Sequence, residues 1–123
     1  MLEKYLLLAE DDELLGALLS YRLEKAGFTV ILARNGREVQ EFLKQGTPDI
    51  IVSDIMMPYY SGIELIDYVR RELGLKIPMI MISSAGNEDN VLSAFELGAN
   101  DFISKPISPA ELIARIDREL SKV

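Results

Sequence analysis

Five times along this chain a short apolar run is followed by residues apolar at helical spacing, and this alternation constrains the fold more than any other feature. "YLLLA" (5–9) precedes Leu14, Leu15, Leu18, Leu19 and Leu23, a pattern that ends at Gly27. "FTVILA" (28–33) leads through Asn35-Gly36 to Val39, Phe42 and Leu43, stopped by Gly46 and Pro48. "DIIVSD" (49–54) precedes Ile63, Ile66, Val69 and Leu73; "MIMI" (79–82) precedes Val91, Leu92 and Phe95; "DFIS" (101–104) precedes Leu112, Ile113, Ile116 and Leu120. Strands apolar at successive positions are buried on both faces, which requires helices on both sides of a parallel sheet. "SGIE" (61–64) and "SPAE" (108–111) read as capping boxes, the second with Pro109 in the first helical position. The expected fold is a doubly wound α/β domain, a five-stranded parallel sheet in the order 2-1-3-4-5 flanked by five helices, as one domain over residues 1–123.

Composition narrows the chemistry. The chain has 123 residues with a net charge of −7, and contains neither cysteine nor histidine. Disulfides, thiolate metal sites and thiol nucleophiles are excluded, as are the commonest general base and the commonest zinc ligand. Acid–base or metal chemistry must run on Asp, Glu, Lys, Ser or Tyr. The acidic balance argues against nucleic acid or an anionic membrane as a direct partner. No apolar run reaches the length of a membrane span or a signal-peptide core, so a cytoplasmic protein is expected.

Ligands of open α/β sheets bind beyond the carboxyl ends of the strands. Glu10, Asp11 and Asp12 follow strand 1, Asp54 ends strand 3, Ser83 and Ser84 follow strand 4, and Lys105 follows strand 5. The run Glu10–Glu13 is unusual in itself, because two like charges ~4 Å apart cost about 4 kcal/mol at an effective dielectric near 20. Either the run is a solvated turn, or a cation sits there; in both cases Asp12 is the expected helix N-cap. In the order 2-1-3-4-5, strands 1 and 3 are neighbours, so Glu10, Asp11 and Asp54 converge. A hard divalent cation suits three carboxylates: Mg²⁺ takes oxygen ligands and pairs carboxylates with phosphate. Lys105 and Ser83 would contact phosphoryl oxygens, and one carboxylate could be the nucleophile, as in aspartyl phosphates.

The pieces "LLLAEDDE", "PDIIVSDIMMPYYSGIEL", "IPMIMISSA" and "GANDFISKPI", in this order, resemble the response regulator receiver domain across essentially the whole chain. The resemblance implies that Asp54 is the phosphoacceptor. Mg²⁺ would be held by Asp11, Asp54 and the backbone carbonyl of Met56, with Glu10 acting mainly through water. Ser83 would bind the phosphoryl group and move toward it, and Lys105 would pair with Asp54 or its phosphate. Lys105-Pro106 looks like the family's cis peptide. Phe102 would be the aromatic switch, changing the surface of helix 4, strand 5 and helix 5. The implied donor is a phosphohistidine on a sensor histidine kinase or phosphotransfer protein. A downstream effector domain or protein is the implied recipient of the signal, and a phosphorylation-dependent homodimer through that surface is a further implied partner.

Some positions depart from the family pattern. The switch hydroxyl, often Thr, is Ser83, and Ser84 beside it is a second hydroxyl. Phe102 replaces the more frequent Tyr. Tyr59-Tyr60 stands where Gly and a small or apolar residue are usual. Met56 and Ala85 lie two residues after Asp54 and Ser83, and neither has a polar group to orient an attacking water. Slow autodephosphorylation is therefore expected.

Three other functions compete. An Asp-nucleophile phosphohydrolase usually places its nucleophile after the first strand in an Asp-x-Asp pattern, whereas Asp54 follows strand 3. A flavin or nucleotide binder needs a Gly- or Ser/Thr-rich loop after strand 1, where "AEDDE" would repel phosphate. A phosphate-independent interaction module would have no need of the acids, Ser83 and Lys105. A switch that catalyses transfer only to itself, rather than an enzyme acting on separate substrates, is the reading that uses all of them.

Overall fold

A computed structural model describes residues 3–84 and 88–122. Five strands, β1 (Lys4–Ala9), β2 (Phe28–Ala33), β3 (Ile50–Asp54), β4 (Met79–Ser83) and β5 (Asp101–Ser104), form one sheet in the order β2-β1-β3-β4-β5. Every neighbouring pair is parallel. The helices are α1 (Glu13–Lys25), α2 (Gly36–Gln45), α3 (Gly62–Asp67, continued by a π-helical stretch Tyr68–Glu72), α4 (Glu88–Leu97) and α5 (Pro109–Ser121). This is the expected doubly wound fold. Among the described residues no helix is long and apolar enough to cross a membrane.

The double burial of the strands appears as two separate cores. Side chains of a strand alternate between faces. Leu7, Ile51, Met79 and Met81 therefore join Val39 and Leu43 of α2, Leu65 and Ile66 of α3, and Ala94 of α4 on one face. Leu6, Leu8, Ile50, Val52, Ile80, Ile82 and Ile103 join Leu19 and Leu23 of α1 and Leu112 and Ile116 of α5 on the other.

The helix patterns need two corrections. The leucines of α1 are not one stripe: Leu19 and Leu23 are buried and Leu15 is half-buried, but Leu14 is 84% and Leu18 49% exposed. In α4 the buried residue is Ala94, while Leu92 and Phe95 face solvent. Apolar residues one position apart in a helix point about 100° apart, so a helix apolar all round must leave some of them outside.

Capping follows the sequence in one case and half follows it in the other. At α3 the Ser61 hydroxyl accepts from Glu64 N and the Glu64 carboxylate accepts from Ser61 N, a complete box. At α5 the Ser108 hydroxyl accepts from Glu111 N, but the Glu111 carboxylate takes a hydrogen bond from Arg115 four residues on. A charged donor one turn away outcompetes the neutral N–H. The far end of the domain is tied by Arg70, in the π-helical stretch, whose guanidinium donates to Leu75 O, Gly98 O and Asn100 Oδ1.

The register aligns the strand ends that matter. Ala9 lies opposite Ala33 and Ser53, Asp54 opposite Ile82, and Ser83 opposite Ser104. Glu10, Asp54, Ser83 and Lys105 therefore sit along one edge. Gly62 lets α3 start against that edge: its N–H donates to Ile55 O at 2.7 Å, and a Cβ there would stand 2.6 Å from Asp54 O and 2.7 Å from Ile55 Cα. Those obstacles are backbone and cannot rotate away. Gly62→Ala is expected to cost about 1–3 kcal/mol in denaturant unfolding, the range for overpacked sites; unchanged stability would show that the loop is not held this closely.

Candidate functional site

The acid run after β1 divides into distinct tasks. Glu10 is buried, and its Oε2 accepts from Asp12 N at 2.9 Å. Asp12 caps α1, its Oδ1 accepting from Leu15 N at 3.0 Å. Glu13 occupies the first turn of α1, where negative charge suits the helix dipole. Asp11 is exposed and turns toward Asp54. Each of Glu10, Asp11 and Asp54 offers a carboxylate oxygen within 4.8 Å of the others. The run is thus both a helix cap and a part of a three-carboxylate cluster.

Asp54 is 3% exposed and is held at both oxygens. Its Oδ1 accepts from Met56 N at 2.9 Å, and its Oδ2 accepts from Lys105 Nζ at 2.6 Å. Lys105 Nζ also lies 3.6 Å from Glu10 Oε1. The Lys105-Pro106 bond is cis, as the resemblance implies. Ser83 is buried at the end of β4, and its hydroxyl donates to Ser84 O at 3.1 Å; Ser84 itself is exposed. Burial and register thus favour Ser83 as the hydroxyl on the site edge. Phe102, half-buried in β5, stands edge-on to Phe95 of α4 with ring centroids 5.7 Å apart. Ala85 lies outside the described residues.

One lysine does not balance three acids. Burial pushes the Glu10 carboxyl up to about 7, with the Asp54 charge adding to the rise while the Asp12 N–H and Lys105 oppose it. Burial alone would lower Lys105, but the hydrogen bond and charge of Asp54, then Glu10 and Asp11, raise it. Lys105 is therefore cationic at neutral pH. Glu10 Oε1 is buried with no hydrogen-bond partner. A buried, unsatisfied carboxylate oxygen among other carboxylates has the chemistry of a hard-cation ligand, and these three side chains could hold such an ion.

The loop after β3 contains features the sequence did not reveal. Tyr59 has φ +70, a left-handed conformation that costs a bulky residue on the order of 1–3 kcal/mol. The Arg37 guanidinium of α2 lies over its ring, 4.4 Å from the centroid. Tyr60 packs so closely on Gly36 that a Cβ there would fall 1.9 Å from Tyr60 Cβ. The family's usual Gly at position 59 was a signal for the positive φ; nothing local foretold the Arg37 contact. Buried Ser53, whose hydroxyl donates to Asp54 O at 2.9 Å, also escaped notice, since it reads as one more strand residue.

The Glu10 shift has a stability consequence. Its folded pKa of about 7 exceeds the ordinary 4.5, so folding favours the protonated form. That contribution is complete below about pH 4.5 and is lost as pH rises through about 7. Glu10→Gln, which keeps the acceptor for Asp12 N, is expected to exceed the native chain in stability by roughly 3 kcal/mol at pH 8 in chelator, converging with it near pH 4.5. Equal denaturation curves at pH 8 would contradict the burial of an ionised Glu10.

Comparison with known proteins matches this geometry. The family model of the response regulator receiver domain covers residues 6–117. The chain is 37% identical over 123 residues to the phosphate regulon transcriptional regulatory protein PhoB of Pseudomonas aeruginosa, covering 99% of this chain and 54% of that protein. It is 36% identical to the alkaline phosphatase synthesis transcriptional regulatory protein PhoP of Bacillus subtilis, covering 94% and 48%. The chain thus spans about half the length of these curated relatives. The solved receiver domain of a signal transduction histidine kinase from Syntrophus aciditrophicus superposes with a TM-score of 0.86 at 33% identity, covering 96% of this chain and 90% of that one. With its parallel 2-1-3-4-5 sheet and its acids, serine and lysine on one edge, the chain belongs to the response regulator receiver domain family of two-component systems.

Proposed function

We propose that the chain is a phosphoacceptor switch of a phosphorelay, acting in the cytoplasm, in which Asp54 takes a phosphoryl group from a phosphohistidine on a sensor histidine kinase or phosphotransfer protein. The observation that carries this reading is the convergence on Asp54 of Lys105 at 2.6 Å and of a second carboxylate, Glu10, whose buried Oε1 has no hydrogen-bond partner. A merely structural ion pair would need only one acid.

The residues fit Mg²⁺. Asp11, Asp54 and the backbone carbonyl of Met56 would hold it, with Glu10 acting through water, and the ion would supply charge neutralisation between Asp54 and an anionic donor. The chain's own groups do the rest. An Asp54 oxygen forms the new bond to phosphorus as the bond from phosphorus to the donor imidazole nitrogen breaks, and the imidazole leaves with that electron pair. Lys105 stays positive, as its raised pKa requires, and steadies the added charge on phosphoryl oxygens. The Ser83 hydroxyl exchanges Ser84 O for a phosphoryl oxygen. Phe102 then turns inward from Phe95, altering the α4–β5–α5 surface read by a downstream effector domain or protein.

Loss of the phosphoryl group is slow in this reading. The Met56 side chain two residues after Asp54 is exposed and has no group to orient water. The chain catalyses its own modification and turns over no separate substrate.

The test is intact mass after incubation with acetyl phosphate. Gain of one phosphoryl group is expected with Mg²⁺, and none with chelator or in Asp54→Asn. The adduct is expected to persist for many minutes once the donor is removed. A half-life of seconds would contradict the assignment of slow hydrolysis. No gain with acetyl phosphate or with a phosphohistidine donor protein would overturn the proposal in favour of a phosphate-independent module, and steady turnover of small phosphate esters would favour a phosphohydrolase.

A further inference from the structure

Tyr59 and Tyr60 border the site and take no part in the proposed chemistry. Tyr59 stands at φ +70 in the middle of a three-residue turn, which Tyr60 N closes by donating to Pro58 O at 2.8 Å. A turn of this kind is rare and strained, and glycine is the residue that enters it freely. A tyrosine stays there only where other contacts hold it. Tyr59 is 70% exposed, so burial is not what holds it. The contacts come from the start of α2. The Arg37 guanidinium lies over the Tyr59 ring, and Tyr60 closes on Gly36 with no room for a Cβ between them.

Arg37 is poorly placed for its own helix. It is the second residue of α2, where the positive end of the helix dipole disfavours a cation. Glu38, the next residue, suits that end, and its carboxylate accepts from Arg34 N at 2.9 Å. Arg37 thus adds nothing favourable to the start of α2, and its partner is the aromatic ring across the loop.

The same loop orients Asp54. Its ends are fixed: Ile55 N donates to Ile82 O at 2.9 Å, and Gly62 N donates to Ile55 O at 2.7 Å. Between them Met56 N donates to Asp54 Oδ1 at 2.9 Å, leaving Oδ2 to face Lys105. Met56 stands three residues before Tyr59. A return of Tyr59 to negative φ would redirect the chain between two fixed ends, and residues 56–58 would have to absorb the change. The geometry points to Arg37 and Gly36 as positioning residues for Asp54: by holding the turn at Tyr59 they keep the Met56 N–H on Asp54 Oδ1. The consequence for phosphoryl transfer rests on the proposed role of Asp54, whereas the hold on Met56 does not.

Hydrogen exchange of the Met56 amide, followed by NMR without metal, tests the hold. An exposed cation–π contact changes an equilibrium by about two- to fivefold, so Arg37→Ala is expected to speed Met56 exchange by that factor. The amides of Leu7 and Val52, in the core strands, are expected to keep their rates. Gly36→Ala, which drives Tyr60 away, is expected to speed Met56 exchange further. In the Tyr59→Gly background the turn needs no support, and adding Arg37→Ala is expected to change nothing. Phosphoryl uptake from acetyl phosphate with Mg²⁺ is expected to follow the same pattern, slower at saturating donor in Arg37→Ala and insensitive to Arg37 in the Tyr59→Gly background. Met56 exchange that ignores Arg37, or that responds equally in both backgrounds, overturns the inference. So does a defect seen only as a higher acetyl phosphate requirement in both backgrounds, which would make Arg37 a direct contact of the donor. Faster Met56 exchange with unchanged uptake overturns the role toward Asp54. A chain that takes up no phosphoryl group overturns the proposed function instead, and the exchange rates alone then decide whether Arg37 holds the loop.

Discussion

The repulsion among Glu10, Asp11 and Asp54 is the constraint on which the rest of the site depends. Three carboxylates do not gather unless the backbone forces them together, and the sheet register does so. Ala9 opposite Ser53 brings the end of β1 beside the end of β3, and Ser83 opposite Ser104 brings Lys105 within reach of both. One ammonium at 2.6 Å from Asp54 and 3.6 Å from Glu10 leaves the cluster short of positive charge. Burial raises the proton affinity of Glu10, the Asp54 charge adds to it, and a divalent cation would relieve the remaining repulsion.

The cost of this arrangement is met away from the site. The sheet is buried on both faces, by α2, α3 and α4 on one side and by α1 and α5 on the other, and nearly every strand side chain in the central three strands is fully enclosed. Fully burying one such side chain contributes about 1.5–3 kcal/mol, so two strand residues offset the penalty of one buried carboxylate. Strain is also concentrated near the acids. Tyr59 keeps a left-handed conformation between Arg37 and the Tyr60–Gly36 contact, which anchors the loop after Asp54 to the start of α2. Such strain persists only where surrounding contacts fix the backbone.

Much of this was legible in the residues. Continuous apolar strands announced the parallel sheet, and the chemically unusual residues fell at strand ends, so the strand order alone brought Glu10, Asp11, Asp54, Ser83 and Lys105 together. What stayed hidden depended on choices between competing partners. Glu111 could close a box with Ser108 N or pair with Arg115, and only three-dimensional placement decides between them. Leu14 and Leu18 match an apolar pattern as well as Leu15 and Leu19 do, and the pattern does not say which row meets the sheet. Arg37 and Tyr59 meet where the loop after β3 packs on the first turn of α2, which no local signal encodes. The π-helical stretch at Tyr68–Glu72 was likewise not legible, and its Arg70 bonds Gly98 O just past α4, a contact 28 residues away in sequence.

The central claim is that the carboxylate cluster is held together for a divalent cation. The most direct measurement is the titration of the Glu10 side-chain carboxyl by ¹³C NMR, with and without saturating Mg²⁺. The account predicts an apparent pKa near 7 in chelator and a fall of more than about one unit when Mg²⁺ is present, since metal and proton compete for the same charge. A Glu10 carboxyl that titrates near 4.5 in both conditions would contradict it.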